Sequence, residues 1–228
     1  MRGSSKGTIV SGLVYRLAYI AVICLANILV LAQQSPTTSA QQIWNDLAAG
    51  NRRYISGKTD AKDLMAQRKA LTKSQHPPVA VLSCSDSRVP PELVFDKGLG
   101  DLFVVRSAGE IADAVARGSL EYAVEHLGST VILVMGHQSC GAVTAACTAG
   151  KSESTNLDAV LEPIVPSCKK VNPKNPVSMD DAIRDHVHAV AQEIVGKSEI
   201  IRKAVDEGKL TIVEAYYSLD TGEVSRLR

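Results

Sequence analysis

The sequence predicts an α/β fold: a central, mostly parallel β-sheet flanked by helices, with an N-terminal helical arm. Three observations predict it. Short, almost wholly apolar runs recur, "VAVLS" (79–83), "LFVVR" (102–106) and "TVILVMG" (130–136), as expected of strands buried on both faces. Segments with apolar residues at helical spacing alternate with them. Prolines and glycines stand at the joints. Alternation of this kind marks a parallel sheet covered by helices, and such sheets collect their chemistry at the carboxyl ends of the strands.

Each element has a local reason. Ser39 can cap a helix from Ala40 to Asn51, with Ile43, Trp44 and Leu47 on one face. A second helix is expected from Ala61 to Lys73, ended by Pro77 and Pro78, which launch the first strand. "ADAVARGSLEYAVEHLG" (112–128) places Val115, Leu120, Ala123, Val124 and Leu127 at helical spacing, with Gly128 at its end. A helix from Ser139 to Ala149 opens directly after the third strand. "KSESTNLDAV" (151–160) reads as a surface loop entering a short helix. Ser178 with Asp181 three residues on resembles a capping box, starting one long helix to about Glu207 that Gly208 stops. "KLTIVEAYYSLDTGEVSRL" (209–227) reads as a last strand with a turn at Asp220–Gly222.

The N-terminus is of a different kind. Residues 1–16 carry Arg2, Lys6 and Arg16 and no acid, and the 16 residues "LAYIAVICLANILVLA" (17–32) carry no charge. That run is short for a spanning helix. Val30 and Ala32 suit the −3 and −1 positions of a signal peptidase site, so residues 1–32 are expected to be a secretory signal peptide, or else an uncleaved membrane anchor. Residues 33–39 form a polar tether, and residues 40–228 a single folded domain. The expected location is therefore periplasmic or secreted, with membrane contact only if residues 17–32 are retained.

Bulk composition excludes some functions. The chain of 228 residues has 25 Lys+Arg, 24 Asp+Glu and a net charge of +1. Loss of residues 1–32 removes three bases and leaves it near neutral, so charge names no partner. There is no basic stripe and no aromatic ladder, with 2 Phe and 1 Trp, so nucleic acid is not expected. Beyond Cys24 in the leader, four cysteines remain: Cys84, Cys140, Cys147 and Cys168. Cys147 and Cys168 have no reactive neighbours in the sequence and are read as small buried apolar residues rather than a bridge.

Cys84 and Cys140 are different. "VLSCSDSRVPPE" (81–92) and "VILVMGHQSCGAV" (131–143) each end an apolar strand with reactive side chains. His137 and Cys140 form H-x-x-C at a strand-to-helix turn, and Cys84 ends a strand that can lie alongside. Alone, H-x-x-C reads as a core histidine near a buried thiol. With "CSDSR" added, two thiolates and an imidazole suit zinc, and three protein ligands leave one position open. Asp86 is close enough to occupy that fourth position in a closed state, or to accept a hydrogen bond from the nucleophile. Arg88 can grip it bidentately and hold it off the metal. His186 and His188 stand at i, i+2 and diverge on a helix.

"CSDSR" followed by "GHQSCG" resembles the β-class carbonic anhydrases, and the resemblance covers most of residues 40–225. It implies one Zn2+ per subunit on Cys84, His137 and Cys140, and a catalytic dyad of Asp86 and Arg88. It further implies substrate-binding roles for Gln75, Phe103 and Tyr122 and for the backbone at Gly141. In the family Gln75, Phe103 and Tyr122 come from the neighbouring subunit, so a homo-oligomer, dimer or tetramer, with the active site at the subunit interface is implied. Gln138 stands where many members carry serine. Val81 stands where members with a regulatory bicarbonate site carry tryptophan, so no such site is expected.

The implied reaction is the reversible hydration of carbon dioxide to bicarbonate and a proton. Three alternatives remain open at this point: hydrolysis of carbon disulfide or carbonyl sulfide on the same zinc site, a non-catalytic zinc or redox protein, and a membrane-tethered scaffold. No residue is assigned as a proton shuttle.

Overall fold

The computed structural model describes residues 38–148, 152, 154–172 and 176–228. The leader or anchor (1–32) and most of the tether (33–39) lie outside the described residues. Ser39–Arg228 form one compact unit. Among the described residues no helix is long and apolar enough to cross a membrane.

Helix α1 (Ala40–Ile55) starts as expected. Ser39 Oγ accepts from Gln42 N–H while the Gln42 side chain accepts from Ser39 N–H, closing a capping box. It runs one turn beyond the expected end and buries Ile43, Leu47 and Asn51. Helix α2 (Leu64–Ala70) is shorter than expected, because Asp63 rather than a residue near Ala61 caps it. Then follow β1 (Val79–Cys84), α3 (Pro91–Val94), β2 (Leu102–Ser107), a 3-10 turn at Ala108–Glu110, α4 (Ala114–His126) and β3 (Val131–His137). The second half holds α5 (Gly141–Thr148), α6 (Thr155–Leu161), a 3-10 helix (Val165–Lys170), α7 (Pro176–Lys197), α8 (Glu199–Asp206), β4 (Thr211–Tyr217) and β5 (Val224–Arg226).

The sheet order is β2-β1-β3-β4-β5, parallel except for the final antiparallel pair. The last segment is thus two strands around the expected turn, not one. β1 and β3 are buried along their whole length, and alternate residues feed opposite faces. Val79, Val81, Val131 and Leu133 pack toward α1 and the segment around Ile164. Ala80, Leu82, Ile132 and Val134 pack toward Leu120 of α4 and Val187 and Ile194 of α7. Gly136, near the end of β3, permits this approach: a Cβ there would lie 2.5 Å from Val187 Cγ2.

Four expectations fail. The single long helix is two, because Ser198 takes an extended conformation and its Oγ accepts from Ile201 N–H, capping α8. Ser178 lies inside α7 and is not its cap; its hydroxyl accepts from Asn172 N–H and donates to Asn172 O. Cys147 and Cys168 are not two buried thiols but a disulfide, joining the last turn of α5 to the following 3-10 helix. Val115, expected on the packed face of α4, is 77% exposed.

Candidate metal centre

Parallel pairing of β1 with β3 sets Ser83 opposite Met135, which carries Cys84 and His137 out together at the carboxyl end of the sheet. The chain then turns back through Ser139, a non-glycine residue in the left-handed region at φ 55°. That turn returns Cys140 to the same point. Cys84, His137 and Cys140 are all buried, and their ligand atoms lie within 4.8 Å of one another. Among the described residues this is the one such group that could hold a metal ion.

The geometry fits zinc. Cys84 Sγ and Cys140 Sγ are 4.0 Å apart, far beyond a disulfide bond and close to the roughly 3.8 Å between two sulfurs on a tetrahedral zinc with bonds of about 2.3 Å. His137 Nδ1 bonds to Gln138 O at 2.9 Å. That bond makes Nδ1 the donor and leaves the lone pair on Nε2. Nε2 is buried and has no protein partner, an expense a folded protein rarely leaves uncovered. The Cys84 thiol is drawn below the ordinary range, first by Cys140, with His137 and the Gly109 N–H adding to it. Gly109 N–H donates to Cys84 Sγ at 3.3 Å. It can do so because Gly109 sits at φ 69° with Ile164 and Ala142 pressed against the space a side chain would need.

Asp86 is held as expected. Arg88 grips its carboxylate with Nε at 2.9 Å and Nη2 at 2.7 Å, and the Arg88 N–H adds a third bond at 2.9 Å. The guanidinium keeps the carboxyl well below the usual carboxylate range, so the group is an acceptor at neutral pH. Asp86 Oδ2 lies 3.9 Å from His137 Nε2, beside the three ligand atoms but bonded to Arg88. Gly141 opens α5 directly after Cys140, and a Cβ there would meet nothing within 4 Å.

The pocket residues lie apart from this cluster. Gln75 and Tyr122 line a cavity of about 570 Å3, together with Leu71, Gly100 and His126. The Phe103 and Tyr122 rings are 6.3 Å apart. None of the three candidate ligands lines that cavity.

Several neighbours of the site were missed from sequence. Arg106, on β2, donates to Cys84 O at 2.9 Å and to Asp86 O at 2.6 Å, bracing the loop that carries both residues. Its position as the sole charge closing an apolar strand was a usable signal. Glu110 is fully buried with neither carboxylate oxygen bonded, and burial pushes its carboxyl well above the ordinary range, with the Cys84 charge adding to the push. His186 is buried with Nε2 bonded to Gly109 O at 2.8 Å, and burial lowers its pKa. Nothing in a single sequence marks those two as internal.

Comparison with known proteins places the chain in a family. Residues 79–224 match the carbonic anhydrase family. Carbonic anhydrase 2 of Mycobacterium tuberculosis is 36% identical over 191 residues, which is 82% of this chain and 92% of that one. A Coccomyxa β-carbonic anhydrase, solved in complex with acetazolamide, superposes with a TM-score of 0.62 at 27% identity over 86% of each chain. One of two tetrameric β-carbonic anhydrases from Sordaria macrospora shares the fold at a TM-score of 0.65 and 23% identity, over 78% of this chain and 93% of that one. With the paired strand-end motifs folded to one point and a relative this similar along most of its length, the chain belongs to the β-class carbonic anhydrases.

Proposed function

We propose that the protein catalyses the reversible hydration of carbon dioxide to bicarbonate and a proton, with one zinc ion per subunit held by Cys84, His137 and Cys140. The observation that carries this reading is the convergence of three buried ligand atoms within 4.8 Å, one of them a histidine nitrogen without a protein partner. When bound, the ion supplies Lewis acidity toward water. The chain's own residues do the rest. Asp86 accepts a hydrogen bond from the attacking water and orients it, and Arg88 keeps that carboxylate charged and turned away from the fourth ligand position. Gly141 offers backbone at the mouth of α5. Family membership supports this activity over carbon disulfide or carbonyl sulfide hydrolysis, and the Asp86–Arg88 clamp supports it over a non-catalytic zinc protein.

The working unit is a homo-oligomer, dimer or tetramer, in which Gln75, Phe103 and Tyr122 complete the pocket of a neighbouring subunit. Gln75 and Tyr122 line a cavity that contains no candidate ligand, and the Phe103 ring lies 6.3 Å from that of Tyr122, which supports this arrangement, as does the tetrameric state of the Sordaria relative. The protein is exported to an oxidising compartment by residues 1–32. The Cys147–Cys168 disulfide supports this, since such bonds persist outside reducing cytosol. Stopped-flow carbon dioxide hydration, with metal content measured on the same sample, tests the central reading. Turnover should track zinc occupancy, and a zinc-replete protein without hydration activity would refute it.

A further inference from the structure

Gln138 stands between His137 and Cys140, and all its polar groups are engaged. Its N–H donates to Tyr217 O at 2.8 Å, and its carbonyl accepts from His137 Nδ1 at 2.9 Å. The side-chain amide is held at both ends by the β4–β5 turn. Nε2 donates to Asp220 Oδ2 at 2.7 Å, while Oε1 accepts from Ser218 Oγ at 3.2 Å and from Asp220 N–H at 3.0 Å. The turn is in turn fastened to α1, where Asn51 Nδ2 donates to Gly222 O and Asn51 Oδ1 accepts from Val224 N–H, both at 2.9 Å.

These bonds restrain a turn that does not restrain itself. Ser139 occupies the left-handed region without being glycine, a strained conformation that persists only where the surroundings impose it. The direction of the Gln138 carbonyl decides more than backbone geometry. It fixes which nitrogen of His137 carries the proton, and so which one presents its lone pair to the two cysteine sulfurs.

We propose that Gln138 is a positioning residue for the metal: its side chain pins the turn to the β4–β5 hairpin, and its carbonyl thereby holds His137 with Nε2 toward Cys84 and Cys140. This rests on those three residues holding the metal. Loss of the amide frees the carbonyl to rotate, which loosens the imidazole without touching any ligand.

The test measures zinc release from the purified holoprotein to a chromogenic chelator, together with the visible spectrum of the cobalt(II)-substituted protein. Gln138→Ala should release zinc about 10- to 100-fold faster, the usual range for loss of a group that orients a ligand. Gln138→Glu should be at least as fast, because a carboxylate would face Asp220. Combining Gln138→Glu with Asp220→Asn exchanges donor and acceptor across the contact, and should return both the release rate and the cobalt spectrum most of the way to wild type. Thermal melts of the same samples separate a folding defect from a site defect. Wild-type release and spectrum in Gln138→Ala, or no recovery in the paired variant, would overturn the proposal. A wild-type protein that takes up no zinc would instead overturn the metal assignment on which it rests.

Discussion

Replacing both members of the disulfide, Cys147→Ser with Cys168→Ser, gives the sharpest test of a feature that the sequence did not betray. The bond closes a loop with a sequence separation of 21. Chain-entropy arguments assign a closed loop of that size roughly 3 kcal/mol, gained by restricting the unfolded chain. For a domain of this length about 1 kcal/mol moves the melting temperature by roughly 2–4 °C. The double variant should therefore melt about 6–12 °C below the oxidised wild type. A phosphine reductant should lower the wild type by a similar amount and leave the double variant unmoved; that comparison cancels any effect of the reductant on Cys84 and Cys140. Calorimetry or circular dichroism reads the midpoint, and thiol titration under denaturing conditions verifies the oxidation state. Equal midpoints for oxidised wild type and double variant, with the bond verified, would refute the reasoning.

Asp86→Ala should keep zinc at wild-type stoichiometry and lose about 10²-fold or more in kcat/KM, because the nucleophile loses its orienting acceptor; metal analysis and stopped-flow assay on one preparation check both halves. Asn51→Ala should destabilise the fold by about 2–4 kcal/mol, since it strips partners from the Val94 and Gly222 carbonyls and the Val224 N–H, all near buried backbone; urea unfolding measures it. Glu110→Gln should change the pH dependence of stability. The folded carboxyl keeps its proton above the ordinary range, whereas the unfolded one loses it above about pH 5. The native state then binds more protons, so wild-type stability falls with rising pH by up to about 1.4 kcal/mol per unit until the folded pKa is reached. The glutamine variant lacks that term and should gain on the wild type as the pH rises above about 5; parallel curves of urea midpoint against pH would contradict this.

The readable parts of this protein are those where one short stretch fixes the outcome. The buried strands announce themselves by unbroken apolar runs, and Cys84, Asp86, Arg88, His137 and Cys140 sit within a few residues of two strand ends, where a parallel sheet must deliver them. Ser39 with Gln42 encodes a helix start within four residues. What was illegible depends on distant partners. Ser178 has the stronger cap pattern, with Asp181 three residues on, yet its hydroxyl is taken up by Asn172, while Ser198, bonded to Glu121 of α4, caps α8. The Cys147–Cys168 pairing requires knowing that α5 and the 3-10 helix end side by side. Gln138 read only as a departure from the serine of many members, because its partners, Ser218 and Asp220, lie some 80 residues away.

Arg106 links two properties usually studied apart. It stands on β2, an edge strand of the sheet, yet its guanidinium spans the carbonyls of Cys84 and Asp86. A lysine ammonium could not fork across both acceptors in the same way. Whatever grips or pries that rim of the sheet therefore pulls on the backbone beneath the reacting groups.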